Sequence, residues 1–197
     1  ALESQTKLQD TIYFHSADQK SLYVNLFIPS TLTWSERKVS VQQVTDFPYA
    51  DTTRLIVRGS GRFDLKVRIP GWARRGVVVK VNGRDQAIQA IPGAYLTLSR
   101  TWHDNDDIEL KMPFTFRLDH LVDQPNVASL FYGPVLLAAD EPAPRSDWRQ
   151  VVLDRSDISR SIEGDPATLR FSIAGVPFKP FYETYGRHSV YLHVSFK

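Results

Sequence analysis

The sequence predicts an all-β fold, and three observations lead to that prediction. Apolar and polar residues alternate with period two through most of the 197-residue chain, as in strands with one buried face. Turn-forming Gly, Pro, Asn and Asp separate these runs at intervals of about 8 to 12 residues, which is typical of sandwiches and barrels. Helical spacing is scarce. We therefore expect an antiparallel, jelly-roll-like β-sandwich, followed by a smaller β-rich tail or a second small sandwich.

The individual elements follow from local pattern. Residues 1–9 contain good helix formers and predict a short helical stub. The clearest strand covers residues 63–69, where apolar side chains alternate with charged ones until Pro70-Gly71 ends the ladder. Val77, Val79 and Val81 lead into Asn82-Gly83, which predicts a type I′ hairpin that returns through Ala87 and Ile88. Further strands are predicted over residues 11–15, 22–28, 39–44, 55–57, 95–100, 108–112, 114–118, 130–132, 135–139, 151–153, 169–173 and 190–196.

A shift in composition divides the chain. Residues 141–147 are rich in proline and charge, which disfavours regular hydrogen bonding, so we predict a linker there. The predicted organisation is then a stub at 1–9, a β-sandwich domain at 10–140, the linker, and a small β-rich C-terminal region at 148–197.

Composition excludes several classes of function. The 24 Lys and Arg against 22 Asp and Glu give a net charge of +2 without a long basic block, so we expect no nucleic-acid partner. No run approaches the roughly 18 apolar residues of a spanning helix, so we expect no membrane partner. Because the chain has no Cys, it has no disulfide, no thiolate zinc site and no cysteine nucleophile.

The residues that could carry chemistry have simpler structural interpretations. Asp104, Asp106 and Asp107 resemble a calcium loop but lack its glycine and distal glutamate, which favours a polar turn. The other acidic residues lie mostly in turns or on the polar side of strands, which disfavours a glycosidase carboxylate pair. The five His show no local metal-binding spacing. We therefore assign no catalytic, cofactor-binding or metal-ligating residue.

Aromatic residues are the remaining candidates. Trp34, Trp72 and Trp148 lie in or near predicted loops, where exposed rings could stack against sugars, although core or domain-contact roles are favoured for such large side chains. Trp102 shares its strand face with Leu96 and Leu98, so we expect it on the core side or at the rim.

Four motifs in order resemble the C-terminal part of bacterial β-L-arabinofuranosidase-type glycoside hydrolases. They are Asp10–His15 (DTIYFH), Leu22–Ser30 (LYVNLFIPS), Val67–Trp72 (VRIPGW) and Leu130–Val135 (LFYGPV). In that family an (α/α)6 barrel carries catalysis and β-sandwich domains follow it. Residues 1–7 resemble the segment just after the family's cysteine pair, so the stub would be the end of the last barrel helix. At Glu3-Ser4-Gln5 many relatives have a His in place of Gln5, so no role of that His is carried over.

The resemblance implies a zinc-bound cysteine nucleophile and a glutamate acid/base in the barrel, none of which maps onto this chain. Our leading hypothesis is a non-catalytic C-terminal β-region that braces or covers the barrel of the same polypeptide, with zinc belonging to the barrel alone. For a bacterial parent that degrades polysaccharide we expect a periplasmic or extracellular location.

Two other classes of function stay open. One is a carbohydrate-binding module that uses exposed aromatic rings, and the other is a small hydrolase built on Asp and Glu. The substrate sugar, its linkage, the oligomeric state and the independence of residues 148–197 do not follow from the sequence.

Overall fold

The computed structural model describes residues 10–197, and strands make up nearly all of the regular secondary structure in that range, which confirms the all-β prediction. The chain divides into two compact units, unit 1 (Ala1–Pro113) and unit 2 (Phe114–Lys197). The predicted helical stub at 1–9 lies outside the described residues. Within residues 10–197, no helix has the length and hydropathy needed to span a membrane.

Between residues 10 and 113, unit 1 contains ten strands in two sheets. The first sheet has the order β1-β2-β6-β9 and the second has the order β3-β4-β5-β10-β7-β8, and all neighbours are antiparallel except β2 and β6. A 3-10 turn at Ser35–Arg37 follows β3. The strands are β1 Tyr13–His15, β2 Ser21–Val24, β3 Ser30–Trp34, β4 Val39–Thr45, β5 Thr52–Arg58, β6 Gly61–Arg68, β7 Val78–Val81, β8 Arg84–Asp85, β9 Tyr95–Trp102 and β10 Asp107–Lys111.

The two sheets of unit 1 share one core, which makes the unit a sandwich. Phe63, Leu65 and Val67 of β6 are buried on one face, as the alternation predicts. They belong to the same buried cluster as Leu55 and Val57 on β5 of the other sheet. Trp102 is also buried here and donates its indole N–H to the Phe63 carbonyl at 3.0 Å, which confirms its predicted place on the core side.

Local turn chemistry explains the hairpin between β7 and β8. Asn82 and Gly83 both have positive φ, 52° and 74°, which a type I′ turn requires and which these two residue types tolerate. The returning strand β8 covers only Arg84–Asp85, so Ala87 and Ile88, which were expected on it, lie beyond its end.

Unit 2 contains nine strands in one sheet. Its main path is β14-β19-β12-β13-β17-β16-β15, with β11 beside β12 and β18 beside β13, and only β14 and β19 are parallel. Two 3-10 turns lie at Ile158–Ser161 and Phe181–Glu183. The strands are β11 Phe116–His120, β12 Val127–Tyr132, β13 Val135–Asp140, β14 Arg149–Leu153, β15 Glu163–Asp165, β16 Arg170–Ile173, β17 Val176–Pro180, β18 His188–Ser189 and β19 Leu192–Phe196.

The unit boundary differs from the predicted domain limits of 10–140 and 148–197. Strand β12 pairs with β19, and β13 pairs with β17 and β18, so residues 127–140 belong to the C-terminal sheet. The predicted linker at 141–147 accordingly joins two strands of one sheet, β13 and β14, and does not separate domains.

A glycine fixes the hairpin between β12 and β13. Gly133 has a φ of 52°, and a Cβ at this position would lie 2.6 Å from the ring of Phe114. Only glycine therefore fits without displacing that ring. The hairpin places Leu130 and Leu137 in the buried cluster of unit 2, together with Phe171 and Phe178.

Candidate functional site

Unit 2 contains a cleft with a volume of about 800 Å³. Residues 143–148, between β13 and β14, line one wall, and residues 186–191, just before β19, line the other. This volume lies within the range of about 300–1,000 Å³ that is typical of small-molecule sites.

The Glu141 side chain and backbone link the two walls of the cleft. The carboxylate of Glu141 is only 5% exposed and accepts two hydrogen bonds from Arg149, one of them from Nε at 2.9 Å. Ser189 on the opposite wall donates its hydroxyl to the same carboxylate at 2.8 Å. The Glu141 backbone N–H donates to the Arg187 carbonyl at 3.0 Å. Both walls are thus fixed to the residue at the floor.

These contacts also keep Glu141 charged. The hydrogen bonds from Arg149 lower the pKa of Glu141 below its usual range, and this effect outweighs burial, which would raise it. The Ser189 hydroxyl lowers the pKa further. An ionised carboxylate already satisfied by its neighbours is suited to structure and is a poor proton donor.

The mouth of the cleft carries aromatic and cationic side chains. Trp148 and Tyr191 are 44% and 41% exposed, and their rings meet edge to face with centroids 5.9 Å apart. Arg145 approaches Glu141 only to 3.9 Å, beyond hydrogen-bonding distance. Arg187 is exposed, and within residues 10–197 its guanidinium has no side-chain partner. The mouth therefore offers ring surface and unused N–H donors.

The three tryptophans proposed for sugar stacking have different environments. Trp34 is 3% exposed, with His15 stacked on it at 6.0 Å and Phe63 against it at 5.5 Å, so it has no free ring face and is removed from the candidates. Trp72 is half-buried and stacks with Phe47 at 6.0 Å. Trp148 is exposed at the cleft and stays a prediction.

In the acidic turn between β9 and β10, the Asp104 and Asp106 carboxylates accept hydrogen bonds from nearby protein N–H groups. Asp106 accepts hydrogen bonds from the His103 backbone N–H and the Asn82 side chain, both at 2.8 Å. Burial acts to raise the pKa of Asp106, but these hydrogen bonds lower it below its usual range. Asp104 accepts from the Gly59 backbone N–H at 2.9 Å. These hydrogen bonds agree with the prediction that the segment is a polar turn.

The zinc implied by the family resemblance does not fit this chain. The sequence has no Cys, and within residues 10–197 no three side chains of His, Asp or Glu come together as ligands. We therefore derive no zinc-dependent step.

The carboxyl groups with displaced pKa values are not suited to act as general acids. A glycosidase acid needs a raised pKa. Five carboxyl groups between residues 10 and 197 have pKa values displaced from the usual range, and all five are lowered; they are Asp18, Asp106, Glu141, Asp154 and Asp157.

Sequence reasoning missed most of the cleft. Glu141, Arg145 and Arg187 were not singled out, because residues 141–147 have the composition of a linker. The pairing of Glu141 with Arg149 and Ser189 depends on strands that are distant in the sequence. The one local signal was the aromatic Trp148 beside charged residues.

Comparison with known proteins gives a family match over the larger part of unit 1. Residues 21–114 match the family described as "Beta-L-arabinofuranosidase, GH127 middle domain". This segment is similar to a GH127 middle domain. The match covers most strands of the sandwich and includes two of the four motifs that carry the family resemblance, Leu22–Ser30 and Val67–Trp72. No curated protein matches the chain.

Solved structures resemble the fold of nearly the whole chain, beyond residues 21–114. A GH127 beta-L-arabinofuranosidase from Geobacillus stearothermophilus T6 is 22% identical over 95% of this chain and 35% of its own, with a TM-score of 0.75. A structure described as a glycoside hydrolase is 19% identical over 98% and 39%, with a TM-score of 0.77. A GH127 beta-arabinofuranosidase is 20% identical over 93% and 36%, with a TM-score of 0.72. The chain thus spans 35–39% of the length of these proteins.

Removing the charge of Glu141 tests the role of the ion pair. We expect Glu141→Gln to lower the free energy of unfolding of unit 2 by about 2 kcal/mol at pH 7, because it leaves the Arg149 guanidinium, which is only 16% exposed, without a counter-charge. Urea unfolding followed by tryptophan fluorescence measures this change. Asp140→Asn is the matched control, because its pair with Lys179 is more exposed and contributes about 0–1 kcal/mol. Equal effects of the two substitutions would contradict the assignment.

The same variant gives a pH dependence with a definite sign. The pKa of Glu141 is lower in the folded state than in the unfolded state, where it is about 4.3, so the ionised carboxylate stabilises the folded state above about pH 4.3. This stabilisation is lost as the pH falls through the pKa of Glu141 in the folded state. The stability difference between the native chain and Glu141→Gln should therefore narrow below about pH 4.

Proposed function

We propose that this chain is the non-catalytic C-terminal β-region of a glycoside hydrolase that acts on arabinofuranosyl carbohydrate. In this proposal the chain braces or covers a catalytic barrel that precedes it in the same polypeptide. The observation that carries the proposal is the match of residues 21–114 to the GH127 middle domain family, in a chain that spans 35–39% of the solved proteins it matches. Catalysis, with any zinc, would belong to the rest of that polypeptide.

The chemistry of the described residues supports this division of labour. A thiolate nucleophile requires a cysteine, and this chain contains none. The five carboxyl groups with displaced pKa values are all more acidic than usual, which suits anchoring contacts and not proton donation at neutral pH.

A surface of unit 1 is suited to the bracing role. On the outer side of the first sheet, Phe14 lies opposite Tyr23, and Tyr23 lies opposite Lys66. Tyr95 packs edge to face on Tyr23 at 5.2 Å, and Lys66 lies 4.9 Å above the Tyr23 ring. We call Phe14, Tyr23, Lys66 and Tyr95 the aromatic face.

The exposure of the aromatic face favours a large partner. Phe14 and Tyr95 are 44% and 40% exposed, although aromatic rings gain from leaving water. Phe14 lies on β1, the strand by which the described chain enters the sandwich. We infer that the barrel segment preceding β1 packs on this face.

The isolated chain should have no glycosidase activity. We expect it to release no aryl group from an aryl β-L-arabinofuranoside above the rate in buffer, because it contains no Cys to supply a thiolate nucleophile. The assay is the absorbance of the released phenol. Release that disappears on Glu141→Gln or Asp106→Asn substitution would refute the non-catalytic role.

Substitutions on the aromatic face test bracing directly. In a polypeptide that carries both the barrel and this chain, we expect Phe14→Ser with Tyr95→Ser to lower the temperature of half-inactivation by roughly 2–6 °C, because two aromatic contacts are lost. Ile91→Ser is the control, since Ile91 is 56% exposed on the connection between β8 and β9.

Stability of the isolated chain separates docking from misfolding. The double variant of the aromatic face should unfold in urea at nearly the concentration of the native chain, since both rings are already partly in water. A similar loss of thermal stability for Ile91→Ser, or no loss for the double variant, would contradict docking at this face.

A further inference from the structure

We propose that the cleft of unit 2 binds a saccharide that carries a carboxylate, such as a uronic acid unit. In this arrangement Trp148 stacks on the sugar ring, and Arg145 and Arg187 bind the carboxylate. The proposal goes beyond the bracing role, which concerns the aromatic face of unit 1.

Trp148 supplies the surface that a sugar ring needs. Its side chain is 44% exposed at the wall of the cleft, and Tyr191 contacts it edge to face. Sugar C–H bonds carry partial positive charge, which the electron-rich face of an indole attracts. Within residues 10–197 the Trp148 indole N–H makes no hydrogen bond, so it is available to a sugar hydroxyl.

The arginines at the cleft differ in how many hydrogen bonds their guanidinium N–H groups already make. Arg149 directs two hydrogen bonds to Glu141, which neutralises the floor of the cleft. Arg145 stays 3.9 Å from that carboxylate, and Arg187 has no side-chain partner in the described part of the chain. A guanidinium fork matches a carboxylate in shape and charge, so these two groups favour an acidic ligand.

The charge balance of the cleft agrees with an anionic ligand. The charges of Glu141 and Arg149 cancel each other. The lining then has two arginine cations, Arg145 and Arg187, and one aspartate anion, Asp147. Asp147 accepts a hydrogen bond from Ser146 at 3.2 Å and can also accept one from a sugar hydroxyl.

Other ligand classes would use only part of this lining. A neutral sugar would leave the two guanidinium groups without a charged partner. A bare inorganic anion would leave the exposed ring of Trp148 unused. A sugar ring with a carboxylate uses both, and the cleft of about 800 Å³ has room for it.

Titration of the 197-residue chain with three probes tests the ligand class. Digalacturonate is the acidic probe, galactobiose has the same type of skeleton without carboxylates, and inorganic phosphate is the bare anion. We expect digalacturonate to bind at least about tenfold more tightly than galactobiose, since each lost charge-assisted contact weakens binding by about that factor. Calorimetry measures the affinity, and tryptophan fluorescence should change with digalacturonate but not with phosphate.

Two variants locate the site within the cleft. Arg187→Gln should weaken digalacturonate binding about tenfold and remove most of the preference over galactobiose. Trp148→Ala should weaken the binding of both disaccharides. Arg160→Gln, on the 3-10 turn after β14, removes an exposed arginine outside the cleft and should leave binding unchanged.

Several results would overturn the proposal. The proposal is wrong if digalacturonate does not bind, or if it binds with the same affinity as galactobiose. It is also wrong if Arg160→Gln weakens digalacturonate binding as much as Arg187→Gln does. Because these outcomes concern unit 2 alone, failure here would leave the bracing role of unit 1 to be judged by its own experiments.

Discussion

Each sheet of unit 1 has one apolar face, and these faces leave water by packing against each other. Leu65 on β6 and Leu55 on β5 are fully buried in the shared cluster, and burial of such a side chain contributes about 1.5–3 kcal/mol. The same alternation that directs these residues inward directs Tyr23, Lys66 and Tyr95 outward. The aromatic face is therefore a direct consequence of the core, and its exposed rings are available to a partner.

Unit 2 depends on a different interaction for its functional surface. Its sheet brings the ends of β13 and β14 close to β18, and the carboxylate of Glu141 then joins Arg149 and Ser189. This ion pair is internally satisfied, so it fixes the cleft without occupying its mouth. The side chains of Trp148 and Arg187 at the mouth stay exposed.

The sequence predicted features that depend on near neighbours. The alternation over residues 63–69 and the turn at Asn82-Gly83 both correspond to observed structure, because strand faces and turn conformations are set locally. Strand β3 was missed, since its Ser, Thr and Leu residues carry a weak pattern and only Trp34 is buried. The sequence therefore predicts Trp34 in or near a loop, whereas it is the last residue of β3.

The unit boundary and the cleft depend on pairing between distant segments. Residues 127–140 join β17, β18 and β19 through contacts about 40 to 65 residues away, which no local pattern reveals. Arg187 and Glu141 meet for the same reason. Proline and charge at 141–147 predicted a linker, whereas the surrounding sheet holds this segment as one wall of the cleft.

The central claim is that the aromatic face docks on the catalytic part of a longer polypeptide. Hydroxyl-radical footprinting can compare the isolated chain with that polypeptide, residue by residue. The account predicts that oxidation of Phe14 and Tyr95 slows severalfold in the longer protein, while oxidation of Trp148 in unit 2 does not change. Equal oxidation rates for Phe14 and Tyr95 in the two proteins would contradict it.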